Sequence, residues 1–125
     1  MSEQPAILIV DDDDIYLSIA KAMVGKLGYL ALTACDGREA LSTYENHRDA
    51  IVCILLDIQM PRMNGIVTLQ HLRNISKDAK VIIVSGYVTE ESRKQLDPLN
   101  PLEYLSKPVG YQDLADRLDK YAPLT

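Results

Sequence analysis

Three apolar runs in this chain stop abruptly at residues with metal or phosphate chemistry. Ile7-Leu8-Ile9-Val10 runs into Asp11-Asp12-Asp13-Asp14, Ile51-Val52-Cys53-Ile54-Leu55-Leu56 into Asp57, and Val81-Ile82-Ile83-Val84 into Ser85. A weaker run, Tyr104-Leu105-Ser106, delivers Lys107-Pro108. Adjacent carboxylates repel, and each raises the other's pKa unless a positive charge compensates. A hard divalent cation does this well: Mg2+ takes oxygen ligands, keeps several waters, and is held by one or two carboxylates together with phosphate oxygens. Asp11 and Asp12, directly off the first run, and Asp57, off the second, would supply such a half-shell. Asp13 and Asp14 read instead as the solvated start of a helix. Asp57 alone would signify little beyond a capped turn. Its weight comes from the combination with two further acids, a hydroxyl and an ammonium.

The elements that must position these groups follow from hydrophobic periodicity. Short runs rich in Val and Ile, separated by helix-like segments, read as buried parallel strands, and open parallel sheets bind ligands beyond the carboxyl ends of their strands. Tyr16, Ile19, Ala20, Met23 and Leu27 recur at three- and four-residue steps as the inward face of a first helix, stopped by Gly28. Leu30 to Ala34 alternates as an edge strand does, and Asp36-Gly37-Arg38-Glu39 has the spacing of a helix cap. A second helix follows with Ala40, Leu41 and Tyr44 inward. Pro61 and Gly65 bracket a turn before a third helix carrying Ile66, Leu69 and Leu72. Thr89 with Glu90 and Glu91 starts a fourth. That helix should stop near Leu96, because Pro98 and Pro101 push Asp97 and Asn100 out of the α region into a rigid extended connection. A last strand near Leu102 to Ser106 and a helix with Leu114, Leu118 and Tyr121 on one face complete five β-α units. Right-handed crossovers cover both sheet faces, so the fully apolar strands should be central and the order 2-1-3-4-5. The predicted fold is α/β, flavodoxin-like and doubly wound.

Composition narrows the function. At 125 residues the chain is one domain that buries roughly two thirds of its unfolded surface without disulfides. Cys35 and Cys53 form no C-x-x-C pair and read as small buried hydrophobes, in keeping with a reducing cytoplasm. No charged leader, lipidation motif or apolar stretch near ~18 residues suggests export or a membrane. A formal charge of −5 argues against nucleic-acid binding by this domain itself. His47 and His71 read as surface residues, neither metal ligands nor phosphate carriers.

Together, Asp11-Asp12, the run Leu56-Asp57-Ile58-Gln59-Met60-Pro61-Arg62-Met63-Asn64-Gly65, Ser85-Gly86 and Lys107-Pro108 resemble the receiver domain of two-component response regulators. The resemblance spans nearly the whole chain. It implies a single receiver domain over 1–125, with a core of about 5–122, acting as a phosphoaspartate switch and catalysing only its own phosphorylation and dephosphorylation. Asp57 would take the phosphoryl group from a histidine kinase or histidine phosphotransfer protein. Asp12, Asp57 and the Gln59 backbone carbonyl would ligate Mg2+, with Mn2+ able to substitute, and Asp11 would act through metal-bound water. Lys107 would pair with phosphoryl oxygens after a cis bond to Pro108 aims it inward, and Ser85 would donate its hydroxyl. Tyr104 matches the switch aromatic, and output would pass through the fourth helix, fifth strand and fifth helix to a protein target. Gln59 and Tyr87 would flank the path of the hydrolytic water, Tyr87 shielding it. A monomer or weak dimer is implied, either standing alone or as a module of a longer kinase or regulator.

Three other readings fit less well. A haloacid-dehalogenase-like phosphohydrolase needs an acid two residues after its nucleophile, and this chain has Gln59 there. A flavodoxin-like nucleotide binder needs a small-residue first loop, where four aspartates would repel phosphate. A non-phosphorylated interaction module would lack Asp57, the acidic pair or Lys107, and all are present.

Overall fold

The computed structural model describes residues 4–60 and 63–124. Five strands alternate with five helices: β1 Ala6–Val10, α1 Asp14–Lys26, β2 Leu30–Ala34, α2 Gly37–Asn46, β3 Ile51–Leu56, α3 Gly65–Ile75, β4 Val81–Ser85, α4 Glu90–Leu96, β5 Glu103–Ser106 and α5 Tyr111–Tyr121. The strands form one parallel sheet in the order β2-β1-β3-β4-β5, as the apolar patterning predicts. β1 and β4 are buried along their whole length, while β2 and β5, at the edges, are mostly half-exposed and show no clean alternation. Helices cover both faces. One core packs Leu8, Val10, Ile54, Leu56 and Ile83 against α2 and α3, and the other packs Ile7, Ile9, Leu55 and Ile82 against α1 and α5.

Register turns this packing into a site. Val10 lies opposite Leu56, so the residues that follow, Asp11 and Asp57, leave the sheet side by side. Their backbones remain tied to it: Asp57 N–H donates to the Val10 carbonyl at 3.0 Å and Asp11 N–H to Ala34 at 3.1 Å. Ser85 pairs with Ser106, and Lys107 N–H donates to the Ser85 carbonyl at 2.9 Å. All four groups therefore reach the carboxyl edge of one sheet from distant parts of the chain.

Local expectations hold in part. Asp13 caps α1 by accepting from the N–H groups of Ile15 and Tyr16, and Asp36 caps α2 by accepting from Glu39 N–H. The Glu39 carboxylate reaches back to Cys35 N–H at 2.9 Å, one residue ahead of the cap. In α1 the buried face is Leu17, Ala20 and Val24, and Ile19 is 54% exposed. Two apolar stripes run along that helix, and packing against Ile7, Ile9 and Leu55 of the sheet turns the Leu17 stripe inward. Cys35 lies one residue beyond β2 and is exposed, so only Cys53 is the expected buried thiol. Burial pushes the Cys53 thiol up to about 12, which keeps it inert. The Pro61 turn lies outside the described residues.

The connection after α4 corrects another expectation. The helix ends at Leu96, but Asp97 is right-handed helical (φ −53°, ψ −42°) and begins a 3-10 turn over Asp97–Leu99, followed by left-handed Asn100. Pro98 fits the start of such a turn because no N–H is required there. The turn is clasped from α3: Arg73 donates to the carbonyls of Leu99 at 2.8 Å, Asn100 at 3.1 Å and Ala79 at 2.7 Å. These bonds outweigh the modest preference of a pre-proline residue for extended backbone. Lys107-Pro108 is cis, as the resemblance implies. Among the described residues no helix is long and apolar enough to cross a membrane.

Candidate functional site

Asp11 and Asp57 sit at the sheet edge almost wholly buried, and Asp12 beside them is exposed. One carboxylate oxygen from each lies within 4.8 Å of the other two. Asp11 accepts from Asp13 N–H at 2.9 Å and forms a short ion pair with Lys107 Nζ. Asp57 accepts from Gln59 N–H at 3.1 Å and stands 3.6 Å from the same ammonium. Lys107 thus serves two carboxylates. Gly65 allows the loop after Asp57 to close on itself: a Cβ there would fall 2.3 Å from the Asp57 carbonyl oxygen and 2.5 Å from the Ile58 Cα.

The electrostatics record unfinished compensation. Burial raises the Asp57 pKa above the usual carboxylate value; the Gln59 N–H and Lys107 oppose this, and Asp11 adds to it. Ser85, fully buried at the end of β4, faces this carboxylate and weakly lowers its pKa, yet its hydroxyl lies outside regular hydrogen-bond geometry. It is the only buried side-chain polar atom among the described residues without a partner. A buried hydroxyl left so costs about 1–3 kcal/mol, a cost that an incoming oxygen acceptor would relieve.

The structure brings together Asp11, Asp12, Asp57, Ser85 and Lys107, as the strand-end pattern predicts. Gln59 is exposed on the following loop, where its N–H serves Asp57. Tyr87 is not folded over the site. Its ring is 68% exposed, because it follows Gly86 on a loop that no element covers. Tyr104 is half-exposed on β5; its hydroxyl makes a short hydrogen bond to Asp97, and the Arg93 guanidinium lies 4.3 Å from its ring centre. Burial, followed by that Asp97 bond, pushes the phenol up to about 12. Sequence reasoning missed Asp97 and Arg93, and it took Tyr16 for a core residue. Tyr16 does pack, half-buried, against the core between the sheet and α1 and α5, but it also places its ring 4.3 Å from Lys107 Nζ, and burial beside Asp11 and Asp57 raises its phenol to about 12. An aromatic within one turn of an acidic strand end was the signal available.

Residues 7–119 match the family described as the response regulator receiver domain. The chain belongs to that family. It is 31% identical over 118 residues to sporulation initiation phosphotransferase F of Bacillus subtilis, covering 94% of each chain. It is 32% identical over 115 residues to the transcriptional regulatory protein ZraR of Escherichia coli, with 91% of this chain matching but only 25% of that protein's length. Among solved structures, a chain of the CheX-CheY-BeF3-Mg2+ complex of Borrelia burgdorferi superposes with a TM-score of 0.85 at 30% identity, covering 93% of this chain and 87% of that one. Receiver domains work as switches in two-component phosphorelay signalling, and the family match places residues 7–119 among them.

Proposed function

We propose that Asp57 accepts a phosphoryl group from the phosphohistidine of a histidine kinase or histidine phosphotransfer protein. The observation that carries this reading is the site's incomplete compensation: a buried carboxylate that shares one ammonium with Asp11, and a buried hydroxyl aimed at it without a partner. In the transfer the donor's P–N bond breaks with its electron pair returning to the imidazole nitrogen. A bond forms between phosphorus and a carboxylate oxygen of Asp57. Lys107 then neutralises the phosphoryl oxygens, and Ser85 donates its hydroxyl to one of them. Such transfers need alignment and charge neutralisation more than covalent chemistry, and these residues provide both.

Three carboxylate oxygens within 4.8 Å, against a single shared lysine, fit a hard divalent cation. Asp12, Asp57 and the Gln59 carbonyl would hold Mg2+, or Mn2+ in its place, and Asp11 would orient a water on it. When bound, the ion neutralises charge on the phosphoryl oxygens. The product adds about −1.5 to −2 charge at an acidic edge, enough to bias a two-state rearrangement. Ser85 would move toward the phosphoryl group and Tyr104 would turn inward, giving up Asp97 and changing the face made by α4, β5 and α5 for a protein target. Gln59 remains the residue beside the hydrolytic approach. We read residues 1–125 as one receiver domain working in the reducing cytoplasm. Phosphotransfer from a panel of radiolabelled histidine kinases tests the proposal: rapid transfer from one of them, lost in Asp57→Asn, is expected, and transfer that persists in Asp57→Asn overturns it.

A further inference from the structure

Tyr16 belongs to this site although no strand end delivers it. It lies in the first turn of α1, two residues inside Asp14 and half-buried, while the neighbouring Ile15 and Ile19 face solvent. Its N–H is held by the Asp13 cap at 3.3 Å, so the same aspartate that starts the helix also fixes where the ring leaves it. The ring meets the Lys107 ammonium at 4.3 Å, the distance at which a cation is held on an aromatic face. Lys107 has 21% of its side chain exposed, and among the described residues its ammonium is otherwise tied only to Asp11 and Asp57.

We propose that Tyr16 is a positioning residue for Lys107, its ring holding the ammonium over the Asp11/Asp57 edge so that the lysine is already in place when the phosphoryl group arrives. The inference rests on the phosphoacceptor reading above. Asp11 alone cannot do this work, because Asp11 is also the carboxylate that would turn toward metal-bound water, and a lysine held only by it would be released. The ring carries no proton or charge that the reaction uses, so its hold on the lysine persists throughout. A flexible four-carbon side chain loses much rotamer freedom when fixed, and a preformed contact removes that cost from the transfer step.

The test compares Tyr16→Phe, Tyr16→Leu, Lys107→Ala and the double variant Tyr16→Leu/Lys107→Ala, with acetyl phosphate and Mg2+ as the probe and thermal unfolding as the control. Tyr16→Phe keeps the ring and should phosphorylate within about twofold of the parent. Tyr16→Leu should be about three- to tenfold slower, the range a cation–π contact commands. In the Lys107→Ala background the leucine substitution should have no further effect, since the ring acts only through the lysine. Equal slowing by Tyr16→Leu in both backgrounds overturns the proposal, as does a Tyr16→Leu rate equal to the parent's. The ring current of Tyr16 should also shift the Lys107 Hε resonances in the unphosphorylated protein, a shift kept in Tyr16→Phe and absent in Tyr16→Leu. Unshifted Hε resonances overturn the Tyr16 contact alone. A parent chain that takes no phosphoryl group overturns the phosphoacceptor reading itself, so the two failures are distinct.

Discussion

Asp57 and Glu103 are both carboxylates at strand ends with a lysine nearby, yet the fold treats them in opposite ways. Glu103, at the start of β5, accepts a short hydrogen bond from the Tyr121 hydroxyl and a 2.8 Å bond from Arg117, with Lys120 at 3.9 Å. Its pKa is lowered, chiefly by Tyr121; burial opposes this, and Arg117 and Lys120 add to the lowering. Asp57, just beyond the end of β3, has one backbone N–H and a share of Lys107, and burial wins. The first arrangement is complete and staples β5 to α5. The second lacks positive charge, which a divalent cation would supply, and stands beside the Ser85 hydroxyl, a donor that an incoming phosphoryl oxygen would satisfy. A carboxylate whose needs the fold leaves unmet is where a ligand's contribution can be felt.

The largest effect expected from this contrast is at Asp12. Asp12→Ala should leave the fold intact and slow phosphorylation by about two orders of magnitude or more, because the half-shell loses its exposed ligand. Thermal unfolding and acetyl phosphate kinetics on the same preparation check this. An unchanged phosphorylation rate would remove Asp12 from the metal site and weaken the view that the acidic edge awaits a cation.

The two carboxylates should also impose opposite pH dependences on stability, measured by denaturant unfolding in EDTA. The raised Asp57 pKa means that the folded chain binds more protons than the unfolded one between the ordinary value of about 3.9 and the raised one, so this residue costs stability as pH rises through that window. The advantage of Asp57→Asn over the parent should therefore grow from about pH 4 upward and then level off. A pH-independent difference would mean that Asp57 is not strained by burial.

Glu103 runs the other way, and more weakly. Its lowered pKa contributes stability that is present above the ordinary value of about 4.3 and lost as pH falls through the lowered one. Glu103→Gln should cost about 0.5–1 kcal/mol at pH 7, and the gap should close in acid. Phosphorylation by acetyl phosphate should be unaffected. A cost that persists at low pH would show that packing, and not charge, holds β5 to α5.

What was legible in the sequence follows the same division. Asp11, Asp57, Ser85 and Lys107 could be placed at one edge because abrupt ends to apolar runs announce strand termini, and parallel strands end on the same side. The Asp13 and Asp36 caps were legible because capping is local. Ile19 was misplaced because residues at three- and four-residue steps admit two phases, and only packing on the sheet chooses between them. The turn at Asp97–Leu99 was missed because its determinant is Arg73, 26 residues from Leu99 in the chain. The Tyr16–Lys107 and Arg93–Tyr104–Asp97 contacts were missed for the same reason: each joins side chains whose proximity is a product of the fold.

The most direct measurement is intact-mass spectrometry of the purified chain after incubation with acetyl phosphate and Mg2+, followed by localisation of the modified residue. One phosphoryl group per chain on Asp57, absent in Asp57→Asn and absent when EDTA replaces Mg2+, is the expected result. An unmodified parent chain, or equal modification of Asp57→Asn, would contradict the phosphoacceptor role of the buried, under-compensated carboxylate.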